Sequence, residues 1–296
     1  MTAKEDDPLI RRKCIALLAD MHAGHKLGLM NPKVILHDID YRGNVTPWTP
    51  RPTATQKYLW KTYSQDTKSV IQLAGEDPLV VIHAGDLTQG NTFKNQLVST
   101  RMADQITIAV ANLRPWCELP NVTAVRLLEG TGVHVFGENS AAILVCDQLR
   151  AGFPHIDIKT PSHSEITVQP GNVVLDVAHH GPGAGGRKWL EGNILRYYLV
   201  DILLTHLANG TKSPRWVFRA HMHRWKRETV RVEGIRDTVA DITLLPSYCW
   251  MGEYARKVTR SVPTVTIGMC VLECTEGGQK LHPFKRTVDL RTKETL

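Results

Sequence analysis

The chain has no uncharged apolar run approaching the roughly 18 residues of a membrane-spanning helix. Its first residues, MTAKEDDPLIRRK, carry acid before base and no apolar signal segment, so the expectation is a cytoplasmic protein with no membrane partner. Six cysteines, at 14, 117, 146, 249, 270 and 274, are too scattered for a disulfide frame and fall inside or beside apolar runs, which reads as buried free thiols. The closest pair, Cys270 and Cys274, lie about 13 Å apart in an extended segment, too far to share a zinc ion or a disulfide. There is no compositional break to mark a second domain. With 296 residues and 42% hydrophobic content, the reading is a single domain over 1–296 with a substantial core. The glycine-rich turn GPGAGG lacks the Gly-Lys-Ser/Thr ending of a phosphate loop.

A formal charge of +7 and a pI near 9.1 favour an anionic partner. The stretch CIALLADMHAG reads as a buried strand ending in Asp20 and His22, whose side chains would share one side of an extended backbone and could clamp an ion. Residues 25–52, rich in proline and glycine, form an insertion placed to act as a lid over a site at that strand end. Thr53 or Thr55 caps a helix reaching Gly75. A second buried strand, LVVIHA, ends at Gly85 and Asp86, and a carboxylate there can offer one oxygen to each of two metals. His83, inside that strand, reads as a satisfied core histidine. A helix over about 91–113 and a strand to Gly130 follow, then Thr131 and His134 and a helix over about 138–149.

Three further strands lead to His179 and His180, with Arg187 beyond them a possible phosphate contact. A helix over ILRYYLVDILLTHLANG is expected to pack through Tyr197, Val200, Leu203, Leu204 and Leu207. WVFRAHMHRW reads as a strand running into His221 and His223, and the last three β segments are expected in a second sheet. Alternating strands and helices with chemistry at strand ends make this an α/β fold.

Asp-x-His, Gly-Asp, a glycine with a downstream histidine, His-Gly and His-x-His, in that order and each at a strand end, resemble the calcineurin-like metallophosphoesterase superfamily over 14–223. The GHKLGL insertion and the tail over 246–268 look like phosphoesterases of phage and prophage genomes. The resemblance implies a four-layer α/β/β/α sandwich of two mixed sheets flanked by helices, with a dinuclear metal centre at the strand ends. It implies that Asp20, His22 and His223 hold one ion, that Asp86 bridges, and that His180 and His221 hold the second, with His179 the alternative to His180. Where the family has Gly-Asn-His, this chain has Gly130, Thr131, Gly132, Val133 and His134. Thr131 or a water would then replace the asparagine amide, and His134 would be the general acid. Two divalent ions against two carboxylates leave a positive site suited to phosphate. A water between them, with its pKa lowered towards about 7, can attack phosphorus in line.

The expected activity is phosphoester hydrolysis, diesters ahead of monoesters, with small phosphoesters, nucleotides and nucleic acid all compatible as substrates. Oxygen and imidazole ligands suit manganese, iron, zinc or nickel, with manganese favoured. The competing reading is a non-catalytic binding or structural protein on a decayed scaffold. A metallo-β-lactamase-type centre is disfavoured because Arg224, Trp225 and Lys226 follow His223 in place of x-Asp-His.

Overall fold

The computed structural model describes residues 11–137, 140–183, 190, 192–232, 238–252, 255–256 and 262–295. Strand β1 (Arg12–Leu18) lies at the centre of a six-stranded sheet and is apolar on both faces. Cys14, Ala16 and Leu18 join a core under the helices, whereas Ile15 and Leu17 join a second core. Two-sided burial explains the unbroken apolar run. Parallel to β1 follow β4 (Leu79–His83), β5 (Val122–Leu127) and β6 (Asp157–Lys159). On its other side lies β12 (Thr264–Thr275), antiparallel, hairpin-paired with β13 (Gly278–Asp289).

A five-stranded sheet runs in the order β10 (Lys226–Val232), β11 (Thr238–Leu244), β9 (Trp216–Arg219), β8 (Val173–Ala178), β7 (His163–Val168). Leu175, Val177, Trp216 and Phe218 of this sheet share the second core with Ile15, Leu17, Ile82, Cys270 and Leu272 of the first. Both large sheets mix parallel and antiparallel pairs. A third, two-stranded sheet joins β2 (Leu36–Ile39) to β3 (Val45–Trp48). Among the described residues there are four α-helices. None is long and apolar enough to cross a membrane.

Helix α1 (Ala54–Ala74) starts at the expected cap: the Gln56 N–H donates to Thr53 Oγ1 at 3.1 Å and the Thr53 N–H to Gln56 Oε1 at 3.0 Å. Helix α2 (Met102–Cys117) begins later than the sequence suggests, because 94–96 form a separate turn and Asp104 takes hydrogen bonds from Ser99 and Arg101 at the helix start. Helix α3 spans Ser140–Gly152.

Helix α4 (Asn193–Ala208) packs on β9 and β11 through Leu195, Leu199 and Leu203. Tyr197, Leu204 and Leu207, read from the sequence as core, are exposed; the helix is apolar nearly all round, so periodicity did not single out the packed face. The expected second-sheet position of TVTIGMCVLEC is also corrected. It is β12 and pairs with β1, while β13 had no counterpart in the sequence reading. Being buried on both faces, β12 carries no alternation to name its neighbour.

In the 25–52 segment, Leu29, Met30, Val34 and Leu36 belong to the helix-side core. Of its residues, His25 is the one on the wall of the cavity described below.

Candidate metal centre

The strands do not themselves carry the site; it begins where they stop. Asp20, His22, Asp86, His221 and His223 adopt left-handed backbone, with φ of 53°, 45°, 54°, 68° and 50°. They are five of the seven non-glycine residues with positive φ among those described. Such conformations cost on the order of 1–3 kcal/mol each and persist where surrounding structure over-determines them. The expectation that Asp20 and His22, and again His221 and His223, project from extended backbone is therefore corrected. Here the backbone reverses at each. The Asp20 N–H donates to Gly85 O and the His22 N–H to Asp86 O, both at 3.0 Å, while Met21 turns into the helix-side core.

Two glycines make the approach possible. Gly85 has φ +93°, and a Cβ there would lie 2.4 Å from His179 Nδ1. At Gly130 it would lie 2.3 Å from both the backbone nitrogen and Oδ1 of Asp86. Without that side chain the Thr131 N–H reaches Asp86 Oδ1 at 2.6 Å.

Asp86, buried to 2% exposure, is the hub. His179 Nε2 lies 3.1 Å, His22 Nε2 3.7 Å and His134 Nε2 4.0 Å from its Oδ2, and the Thr131 hydroxyl donates to the same oxygen at 3.2 Å. On one side, His223 Nε2 stands 3.3 Å from Asp20 Oδ1 and 3.3 Å from His22 Nε2. On the other, Thr131 Oγ1 lies 3.1 Å from both His179 Nε2 and His221 Nδ1. Several overlapping sets of these groups could hold a metal ion, including Asp20 with Asp86 and His179, and His179 with His180 and His221.

Hydrogen bonds orient the imidazoles. His22 Nδ1 is 2.9 Å from Gln89 Oε1, His134 Nδ1 2.6 Å from Gln89 O, and His179 Nδ1 2.7 Å from Ala84 O. Each acceptor holds a proton on Nδ1 and leaves Nε2 facing Asp86, the arrangement seen where histidines bind metals. The donor set fits a divalent cation in a further respect: Asp20 Oδ1 is buried without a hydrogen-bond partner among the described residues. A carboxylate oxygen in that position is costly unless a cation faces it.

Burial alone would raise the Asp86 pKa, but the hydrogen bond and charge of His179, with His22 and His134, hold it well below the usual carboxylate range. Asp20 is likewise lowered against its burial, chiefly by His223. Burial, reinforced by His134 and His223, pushes His22 well down, whereas Asp86 overcomes burial to raise His179 to about 9. Burial, then the charge of His179, lowers His221.

Asp20, His22, Asp86, Thr131, His134, His221 and His223 are thus brought together as the sequence suggested. Of the histidine pair, His179 is the one against Asp86; His180 is exposed beside His179 and His221. Strand alternation does not say which of two adjacent histidines turns inward, and the ring packed over Gly85 decides it. Arg187 lies outside the described residues.

Sequence reasoning passed over Gln89, although it stands three residues after Asp86 in GDLTQG. It also passed over Cys249, whose sulfur lies near His22 and His223. All six cysteines are free and buried, as expected.

The cluster forms the floor of a cavity of about 760 Å³. Its walls include Phe93, Val133, Met222, Trp250 and Met251, and Arg224 is the one lysine or arginine among its described lining residues. No family model matches the chain, and no curated protein matches it.

Proposed function

We propose that this chain is a dinuclear metal-dependent phosphoesterase of the calcineurin-like kind, acting on phosphodiesters ahead of monoesters. The observation that carries the reading is the approach to one buried carboxylate, Asp86, by imidazoles from both sides, His22 at 3.7 Å and His179 at 3.1 Å. Asp20, His22 and His223 would hold one ion, and His179, His221 and Thr131 the second, with Asp86 between them. Divalent ions there supply positive charge for phosphate oxygens and lower the pKa of water towards about 7. The three apolar clusters, helix-side, between sheets and under α4, support the four-layer α/β/β/α order that goes with this site.

The chain's own residues supply the remainder. Gln89 fixes two rings at once, the His22 ring through its side chain and the His134 ring through its carbonyl. His134, on the cavity wall with Nδ1 tied to Gln89 O, would be the group that delivers an Nε2 proton to a departing oxygen. A cavity of this size suits a substrate with a group on each side of the phosphate. The apolar residues on its walls, Phe93, Val133, Met222, Trp250 and Met251, would pack against the organic groups of such a diester.

The test is elemental analysis of the purified chain together with hydrolysis of aryl phosphate mono- and diesters before and after metal removal. Two equivalents of divalent metal, diesterase activity lost on chelation, and loss of both metals in Asp86→Ala are expected. Absence of stoichiometric metal, with none restoring hydrolysis, would leave the non-catalytic binding protein as the reading.

A further inference from the structure

We propose that Cys249 is a metal ligand, the thiolate partner of His22 and His223, and that it biases this half of the centre towards zinc or ferrous iron and away from manganese. The inference rests on the cluster being a metal centre, as proposed above, but not on the reaction it performs. The ligand atoms of His22, His223 and Cys249 all lie within 4.8 Å of one another. A second observation points into the same space: Asp20 Oδ1, buried and without a hydrogen-bond partner among the described residues, lies 3.9 Å from His22 Nε2 and 3.3 Å from His223 Nε2. Donors around one four- or five-coordinate ion with bonds of about 2.0–2.3 Å stand roughly 3–3.7 Å apart, so modest side-chain adjustment closes the set.

The backbone holds the sulfur there. The Tyr248 N–H donates to Asp20 O at 3.2 Å and the Trp250 N–H to Leu27 O at 2.9 Å, which fastens the residues on either side of Cys249 to the two ends of the loop carrying His22. The Ser247 hydroxyl donates to Cys249 O at 3.0 Å and secures the same turn. The thiol itself points a proton at Trp250 O, 3.3 Å away, a local contact that coordination would replace. Binding exchanges that S–H proton for the ion: the thiol gives up H⁺ and the sulfur lone pair forms the bond to M²⁺, with no change of oxidation state. Cys14, Cys117, Cys146, Cys270 and Cys274 sit in the apolar cores.

With Asp86 shared between the ions, two carboxylates, two imidazoles and a thiolate still form a donor set softer than the oxygen-rich sites of manganese and magnesium. This replaces the manganese preference drawn from oxygen and imidazole ligands alone.

Cobalt(II) is the probe. The cobalt-loaded wild-type protein is expected to show a thiolate-to-cobalt charge-transfer band in the near ultraviolet that is missing from Cys249→Ser. In competition dialysis the same variant is expected to lose roughly 10-fold or more of its preference for zinc over manganese, in line with the ~10–100-fold that even outer partners of a metal site contribute. Should Cys249→Ser fold poorly, X-ray absorption of the zinc-loaded wild-type protein decides without a variant, by a zinc–sulfur distance of about 2.3 Å beside nitrogen and oxygen at about 2.0–2.1 Å. Visible cobalt absorption without the charge-transfer band, or zinc with nitrogen and oxygen neighbours only, overturns the ligand assignment and leaves the phosphoesterase reading intact. Failure of either metal to bind overturns both.

Discussion

His83 closes β4 with no exposure to solvent, in register with Leu18 and Leu127, and neither ring nitrogen has a hydrogen-bond partner among the described residues. It was read from the sequence as a satisfied core histidine, and the structure corrects that. By strand alternation it faces the same side as Leu79 and Val81, the apolar core beneath the helices. Replacing it with leucine removes buried polar atoms that cost roughly 1–3 kcal/mol when unsatisfied, against which a shape mismatch sets about 1 kcal/mol. His83→Leu is therefore expected to stabilise the fold by up to about 2 kcal/mol near neutral pH.

Acid should widen the gap. Burial lowers the His83 pKa from 6.5 to about 4, and the charges of Asp20 and Asp86 only partly oppose it. Between those values the unfolded chain takes up a proton that the folded chain refuses. Wild-type stability thus falls as pH drops through that window, by up to about 3 kcal/mol at its lower end, and the leucine variant lacks this term. Urea denaturation of both proteins, with chelator present so that metal linkage cancels, should show the difference growing by about 2 kcal/mol between neutral pH and pH near 5. A leucine variant no more stable than wild type at neutral pH, with no widening in acid, would refute the reasoning and mean that the ring is hydrogen-bonded.

Gly130→Ala places a methyl group 2.3 Å from Asp86 Oδ1, so metal content and hydrolysis should fall together by at least about 100-fold although no ligand is changed; elemental analysis with rate measurement checks it, and retained metal would contradict it. His134→Ala should slow esters with alkyl or nucleoside leaving groups by about 10²–10⁴ while sparing p-nitrophenyl esters, whose leaving group needs no proton. Loss of one metal equivalent with equal slowing of all esters would instead make His134 a ligand, consistent with its place beside His22 and Asp86. Asp241, fully buried, accepts hydrogen bonds from Thr229, Arg215 and Arg227, which hold its pKa low against burial. Its contribution is complete above the unfolded pKa near 3.9 and is lost as pH falls through the lower folded value. Asp241→Asn is expected to cost about 2–3 kcal/mol at neutral pH, less than a fully buried pair because both arginines are partly exposed, and urea midpoints that do not move would refute it.

The strand ends that carry the cluster were legible because each is a local event. An apolar run stops at Asp20, Asp86, Thr131, a histidine pair or His221, and such a stop reads the same in one dimension as in three. The run through β12 was legible as a strand but not as a neighbour of β1, since burial on both faces erases the alternation that would have named a side. The packed face of α4 was hidden because apolar residues lie nearly all round that helix, although only one face is buried.

The sequence also placed these residues at strand ends while misjudging how they meet. It is left-handed backbone, not extended alternation, that turns Asp20, His22, Asp86, His221 and His223 towards one another, and such φ values are sustained only by hydrogen bonds between loops distant in the chain. Two choices were decided by tertiary structure alone. His179 is the inward member of its pair because the absent side chain of Gly85 leaves room for its ring. Cys249 comes near His22 because its neighbours hydrogen-bond to a loop more than two hundred residues earlier, a contact that no spacing in the sequence encodes.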